Sequence, residues 1–194
     1  MFVILNCSDN NMKILITGIP CTGKSTLSIS LAKKLNYKVY SDKDFLTKTN
    51  YKIVKEYGLK LKDVDLCRFA KQTNKKLAHK QDFILEGLIF PYCLHRFKFQ
   101  LDYIFILHLS EQKLKQRMKK RKYPDAKILD NLFVQETNQL YYTILASLGQ
   151  KKFVPLVCEV SLYGNKQRDM KKLKWILFKW NKEKIRIKNT HKIP

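Results

Sequence analysis

The fold is decided by one stretch near the N-terminus, Gly18-Ile19-Pro20-Cys21-Thr22-Gly23-Lys24-Ser25, which fits the phosphate-binding pattern G-x-x-x-x-G-K-[ST]. Residues 13–17 before it are apolar and β-branched, which predicts a buried strand. Residues 25–35 after it carry leucines four apart, which predicts a helix whose N-terminus faces the loop. Backbone N–H groups and the helix dipole at such an N-terminus attract phosphate. The stretch therefore predicts a P-loop nucleotide site formed by Gly18, Cys21, Gly23, Lys24, Ser25 and Thr26.

Chain length and composition predict one domain with a real hydrophobic core, because the chain has 194 residues and is 45% hydrophobic. The longest apolar run is too short to span a bilayer, and residues 1–5 are too brief for a secretory signal. Five cysteines without paired metal spacing predict free thiols in a reducing compartment, hence a cytoplasmic protein, or a nuclear one in a eukaryote. Residues 1–11 are expected to be an extension, since Met12 could begin the first strand directly.

The net charge of +23 leaves two interpretations open. It is consistent with a polyanionic partner such as nucleic acid. It is equally consistent with a Lys-rich composition whose side chains are simply solvated, because the charge is spread over the whole chain.

Strand and helix patterns alternate along the chain. Apolar runs predict strands at 13–17, 36–40, 83–86, 101–109 and 153–160, and helical periodicity falls at 25–35, 64–79, 111–121, 127–148 and 166–180. This order predicts an α/β P-loop NTPase fold over residues 12–180, a five-stranded parallel sheet with helices on both faces. Residues 45–63 are polar and predict a small insert, and residues 181–194 predict a mobile basic tail.

Acidic residues follow two of the predicted strands. Ligands of such sheets bind at the carboxyl ends of the strands, an edge that also receives Ser110 and Gly164. Glu86, at the end of its strand, is expected to position Mg²⁺ together with Ser25, or to orient a metal-bound water. Asp42 and Asp44 are candidates for binding an acceptor nucleotide or Mg²⁺, and helix capping is an equally good interpretation of both.

Two arginines lie four residues apart near the end of a predicted helix, so Arg117 and Arg121 share a face. Phosphoryl transfer spreads negative charge over the moving group, and guanidinium groups stabilise that charge. The pair is therefore predicted to be catalytic, together with Lys24 and Glu86. The alternative is an exposed basic helix end favoured by the helix dipole.

The motifs occur in an order that resembles a known family. The order is Gly18-x-Pro20-x-x-Gly23-Lys24-Ser25-Thr26, Val64-Asp65-Leu66, Leu85-Glu86-Gly87, Arg117-x-x-x-Arg121-x-Tyr123-x-x-x-Lys127-Ile128-x-x-Asn131, and Glu159-Val160 before Gly164. Over nearly all of residues 12–180 this resembles the adenylate kinase isoenzyme 6 family. The resemblance implies a nucleoside monophosphate (NMP) kinase core with an NMP-binding insert at 41–64 and a short lid at 120–130 that brings Arg121 to the ATP.

The resemblance also implies a reaction, ATP + AMP to two ADP with Mg²⁺, on AMP or another nucleoside monophosphate. Relatives also hydrolyse ATP and assist small-subunit maturation, contacting a ribosomal protein near the rRNA. Three positions depart from the family: Cys21 and Lys122 replace glycines, and Leu88 stands where a histidine linked to water activation is usual. The resemblance therefore implies nucleotide binding more strongly than the ATPase and ribosome roles.

Two rival functions stay open at the sequence level. One is an ATP-hydrolysing small-ribosomal-subunit assembly factor, which predicts salt-sensitive binding to RNA or a ribosomal protein. The other is a kinase for a different small acceptor, such as another nucleoside monophosphate or shikimate, because segment 41–64 does not reveal its acceptor.

Overall fold

The computed structural model describes residues 11–56, 58–149 and 154–190, with the backbone alone at residue 59 and at residues 180–190. Nearly all of the predicted extension 1–11 and the last four residues of the predicted tail lie outside these ranges. The described strands are β1 (Lys13–Thr17), β2 (Val39–Ser41), β3 (Tyr51–Glu56), β4 (Leu59–Val64), β5 (Phe83–Glu86), β6 (Tyr103–Leu109) and β7 (Leu156–Leu162). The helices are α1 (Lys24–Leu35), α2 (Leu66–Leu77), α3 (Glu111–Lys120), α4 (Asp125–Glu136), α5 (Gln139–Leu148) and α6 (Lys166–Thr190).

The central sheet has the predicted five parallel strands in the order β2-β5-β1-β6-β7. Strand β1 lies in the middle, and its apolar residues 14–16 are completely buried. Because all five strands run the same way, their carboxyl ends form one edge, and the P-loop leaves that edge from the centre. The predicted α/β fold is confirmed.

Two hydrophobic cores cover the two faces of the sheet. One packs α1, α3, α4 and α6 against the sheet through residues such as Leu31, Phe105 and Leu173. The other holds α2, α5 and a 3-10 helix at Phe90–Arg96, and it is rich in phenylalanine. Phe90 lies at its centre, with ring centroids 5.3 Å from Phe69 and 5.7 Å from Phe45.

The predicted insert contains a 3-10 helix (Asp42–Asp44) and the antiparallel hairpin of β3 and β4. The base of the hairpin is fixed by Asn50, whose side chain is fully buried and donates to the Phe45 carbonyl at 2.8 Å. The Asn50 carbonyl also accepts from the Asp65 N–H at 2.9 Å. Beyond this base the described side chains of β3 are mostly exposed, so the hairpin projects from the core.

Several element boundaries differ from the sequence predictions. The single helix predicted for 127–148 is wrong, because Asn138 adopts a left-handed backbone (φ 51°) that separates α4 from α5. The first helix ends at Leu35 and is capped by Asn36, which is also left-handed, so the predicted strand at 36–40 begins only at Val39. The final helix does not stop at 180 but continues to Thr190, which places part of the predicted tail in α6.

The four cysteines in the described ranges, Cys21, Cys67, Cys93 and Cys158, are free thiols, as predicted, while Cys7 lies outside those ranges. Among the helices of the described residues none is both long enough and apolar enough to cross a membrane.

Candidate active site at the P-loop

The P-loop is held in a shape that glycine makes possible. Gly18 has φ +141°, and a Cβ there would lie 2.6 Å from the Leu107 carbonyl oxygen of β6. Gly23 has φ +107° and occupies the N-cap of α1. Space at Gly18 excludes a larger side chain, and the positive φ at Gly23 disfavours one. The loop leads directly into the helix N-terminus, where an anion is favoured.

Lys24 lies across the loop. Its ammonium donates to the carbonyl oxygens of Gly18 at 2.8 Å and Ile19 at 3.0 Å. Because an ammonium has three donors, one remains for a phosphate oxygen. Burial lowers the pKa of Lys24, and the nearby carboxylates of Glu86 and Asp42 oppose that shift. The bound phosphates of a nucleotide, like those carboxylates, would raise the pKa of Lys24.

Ser25 and Glu86 form the candidate metal site. The Ser25 hydroxyl donates to Glu86 Oε1 at 3.1 Å, which joins the start of α1 to the end of β5. A hydroxyl and a carboxylate are the hard oxygen ligands that Mg²⁺ prefers, usually together with substrate phosphates. Among the described residues there is no cluster of three His, Cys, Asp or Glu side chains that could hold a metal without such phosphates.

Asp42 is fastened to the loop after β5. Its carboxylate accepts from the Leu88 N–H at 2.7 Å and from the Ile89 N–H at 3.3 Å. A methyl group at Gly87 would overlap this carboxylate, so the glycine is required for the close approach. Burial raises the pKa of Asp42 to about 6, and Glu86 adds to the rise, although the two N–H donors and Lys24 oppose it.

Asp44 has a different position. Its carboxylate accepts from the Ser41 N–H at 2.6 Å and the Ser41 hydroxyl at 3.2 Å, closing a capping box around the 3-10 helix. The two predicted acceptor-binding acids therefore differ in position. Asp42 lines the first cavity together with Lys24, whereas Asp44 caps the 3-10 helix.

Arg117 connects the P-loop to the turn at Gly164 through hydrogen bonds. Its guanidinium donates to the carbonyl oxygens of Cys21 at 3.1 Å, Thr22 at 3.4 Å and Gly164 at 3.3 Å. These partners connect α3, the loop and the turn that precedes α6. The structure therefore gives Arg117 an anchoring position that the spacing of the two arginines did not predict.

Two adjoining cavities meet at the P-loop. The first, of about 450 Å³, contains Lys24, Ser25, Asp42, Glu86 and Arg121. The second, of about 520 Å³, lies on the other side of Gly23 and also contains Arg121. Residues that only the second cavity has are Thr22, Leu27, Arg117, Lys120, Gly164, Lys166 and Asp169. An exposed Arg121, at the C-terminus of α3, thus faces both spaces.

Two of the departures from the family pattern share one backbone feature. Cys21 has φ +69° and Lys122 has φ +58°, a left-handed conformation that glycine adopts without strain. A glycine, which the resemblance leads one to expect at both positions, would therefore avoid this strain. Leu88, the third departure, lines the first cavity with an apolar side chain beside the Asp42 carboxylate.

The sequence prediction missed some residues of the site. Ser41, Lys43 and Gly87 line the first cavity, and Lys166 and Asp169 line the second. A signal existed for the last two, because they follow Gly164 at the start of a helix on the ligand edge of the sheet. Asp169 is buried, and its Oδ1 accepts from the Tyr163 N–H at 2.7 Å.

Comparison with solved structures gives the same architecture. A shikimate kinase from Acinetobacter baumannii in complex with shikimate has a TM-score of 0.56 at 18% identity, covering 87% of this chain and 94% of its own. A deoxyadenosine kinase from M. mycoides with bound dATP has a TM-score of 0.51 at 15% identity, covering 88% and 100%. At these identities the likeness establishes the fold alone.

Two curated archaeal proteins named "Putative adenylate kinase" are related in sequence. The protein from Methanocaldococcus jannaschii is 28% identical over 121 residues, and that from Methanococcus maripaludis is 31% identical over 127 residues. Each match covers 62% of this chain and 65% of the relative, so the chain spans just under two thirds of the relatives' length.

A family model also matches the chain. It is described as an AAA domain and covers residues 14–138, from β1 through the P-loop, Glu86 and both arginines to the end of α4. These are the elements that build the nucleotide site, and they amount to more than half of the chain. The protein therefore belongs to the AAA_18 family of AAA domains, with the P-loop kinase fold and a nucleotide-binding site.

Proposed function

We propose that the protein is an adenylate kinase of broad specificity, which transfers the γ-phosphoryl group of ATP to AMP or another nucleoside monophosphate. The observation that carries the proposal is the first cavity, where Lys24, Ser25, Glu86, Asp42 and Arg121 face one space. The names of the two archaeal relatives support the choice of acceptor. They carry nothing on ribosome assembly, which is therefore not part of the proposal.

The two cavities suggest a division between donor and acceptor. The donor's nucleoside would occupy the second cavity, between Thr22 and Leu27 on one side and Gly164 on the other. Its phosphates would cross the P-loop at Gly23 to reach Lys24 in the first cavity. The acceptor would enter the first cavity from the side of Asp42 and Leu88. Arg121 lines both cavities, and it would therefore lie beside the phosphoryl group during transfer.

Catalysis would rest on positioning and electrostatics. Lys24 and Arg121 would balance the charge that spreads over the transferred group, and no covalent intermediate with the protein is needed. Ser25 and Glu86 would hold Mg²⁺, which when bound neutralises charge on the phosphate oxygens. Arg117, through its three carbonyl partners, would keep the loop in its phosphate-binding shape.

The test is product analysis by ion-exchange chromatography. Purified protein receives Mg·ATP alone, then with AMP, with each other nucleoside monophosphate, and with shikimate. AMP-dependent formation of two ADP per ATP consumed is the expected result. ADP and phosphate formed from ATP alone, with no acceptor used, would replace the kinase by an ATPase. Phosphorylation of shikimate in preference to AMP would replace the acceptor class.

A variant of the P-loop lysine tests whether phosphoryl transfer takes place at this site. Lys24→Ala is expected to lower turnover about 100-fold or more, the usual effect of removing a charge-stabilising donor. Lys34→Ala, on the exposed side of the same helix, is the matched control and should keep normal turnover. Thermal unfolding of both variants separates lost chemistry from lost folding. A folded Lys24→Ala protein with normal turnover would refute the assignment.

A further inference from the structure

A second feature of the molecule lies outside both cavities. A shallow groove of about 540 Å³ runs beside the first half of α6, and its walls are Tyr163, Arg168, Lys171, Lys172 and Trp175. Four of these residues belong to α6, and Tyr163 is in the turn that precedes it. None of the five lines either cavity at the P-loop. The proposed phosphoryl transfer therefore does not account for the groove.

The aromatic residues of the groove are unusually open to solvent. Trp175 is 62% exposed and Tyr163 is 54% exposed, although tryptophan is highly buried on average. Each ring also has a lysine ammonium near it: Lys172 lies 5.6 Å from the Tyr163 ring centroid and Lys179 lies 5.4 Å from that of Trp175. The exposed rings thus alternate with positive charges along one face of the helix.

The charge of this face is of one sign. Between Lys166 and Lys179 the helix carries six basic residues, and its single acid, Asp169, is buried and bonded to the Tyr163 backbone. Lys172 is held in place, because its ammonium donates to the Ser161 carbonyl at 2.8 Å. The groove therefore offers one fixed ammonium, two further basic side chains and two open rings, with no carboxylate among its walls.

We propose that this groove binds a single-stranded nucleic acid, for which single-stranded RNA is the probe. An RNA strand supplies phosphates for the basic residues and unpaired bases that stack on Trp175 and Tyr163. An RNA duplex would satisfy only the charge, since its bases are stacked on one another. The aromatic rings distinguish this face from a surface that carries only solvated lysines. Binding that depends on these rings can be separated by experiment from binding that depends only on the net charge of the protein.

The experiment measures fluorescence anisotropy of a labelled 12-nucleotide single-stranded RNA, titrated with the full chain over a range of salt concentrations. Trp175→Ala is expected to weaken binding about tenfold or more, with the salt dependence retained. Trp175→Phe, which keeps a ring, should restore most of the affinity. The double variant Arg168→Gln/Lys171→Gln should reduce the slope of log K against log salt by about 1.4.

Matched controls address the general charge and general aromatic exposure. Lys55→Gln/Lys60→Gln removes the same charge from the exposed hairpin, and Tyr142→Ala removes a ring that is 63% exposed on α5. Both should leave the affinity within about twofold. The proposal is overturned if the hairpin variant weakens binding as much as the α6 variant, if Trp175→Ala has no effect, or if duplex RNA of the same length binds equally well. Unchanged thermal unfolding confirms that each variant is folded.

Discussion

Asp42→Asn should change how the stability of the protein depends on pH. The pKa of Asp42 is raised from 3.8 to about 6 in the folded protein, so between these values the native state binds more protons than the unfolded state. Stability that Asp42 contributes below pH 3.8 is therefore lost as the pH rises to about 6. The shift corresponds to about 3 kcal/mol at 1.36 kcal/mol per pH unit. An asparagine oxygen can still accept from the Leu88 N–H, yet it does not ionise.

The assay is urea denaturation of both proteins at half-unit steps from pH 4 to pH 8. Relative to wild type, Asp42→Asn should gain about 2 to 3 kcal/mol in free energy of unfolding between pH 4 and pH 6, and the difference should then stay level. Asp44→Asn, the same change two residues along, gives the baseline for losing a carboxylate from this segment. Parallel pH profiles for Asp42→Asn and wild type would refute the reasoning, as would a gain that appears only as the pH falls.

Further predictions separate the roles of the two arginines and test the backbone strain at Lys122. Arg121→Ala should lower kcat about 100-fold with little change in thermal stability, because its side chain is exposed and faces both cavities; an unchanged kcat would remove it from the chemistry. Arg117→Ala should instead raise KM for ATP and lower the free energy of unfolding by about 2 kcal/mol, since three carbonyl partners lose their donor; a normal KM and stability would contradict the anchoring role. Lys122→Gly should stabilise the protein by about 1 kcal/mol in urea denaturation, whereas Lys122→Ala should give no gain because it retains a Cβ at φ +58°; equal effects of the two changes would exclude backbone strain.

The sequence predicted the sheet well because its strands are buried on both faces. Residues 103–107 are almost completely inaccessible, and a run of apolar residues of that length has few alternatives to a central strand. The break between α4 and α5 was missed because no glycine or proline marks it. Asn138 supplies the left-handed residue, and asparagine is only one of several polar residues in that stretch.

Some residues of the candidate site could likewise be predicted from the sequence, and others could not. Lys24, Ser25 and Glu86 could be predicted because a local motif and the ends of two strands fix their positions. The partners of Asp42 could not, since its bonds run to backbone groups 46 and 47 residues away in a loop with no polar signature. Spacing alone placed Arg117 with Arg121, but only the structure shows that Arg117 donates to carbonyl oxygens of the P-loop and of Gly164, whereas Arg121 lines both cavities.

The left-handed residues Cys21 and Lys122 both lie beside arginines of the candidate site. Each costs roughly 1 kcal/mol or more that a glycine would avoid, and such strain persists only where neighbouring contacts hold the backbone. At Cys21 the neighbour is Arg117, whose guanidinium donates a hydrogen bond to the Cys21 carbonyl oxygen at 3.1 Å. At Lys122 the backbone N–H donates to the Lys119 carbonyl at 2.8 Å, and Arg121 precedes it at the end of α3. Both left-handed residues therefore adjoin an arginine of the site, and at each of them a hydrogen bond to a neighbouring group helps to hold the backbone in this conformation.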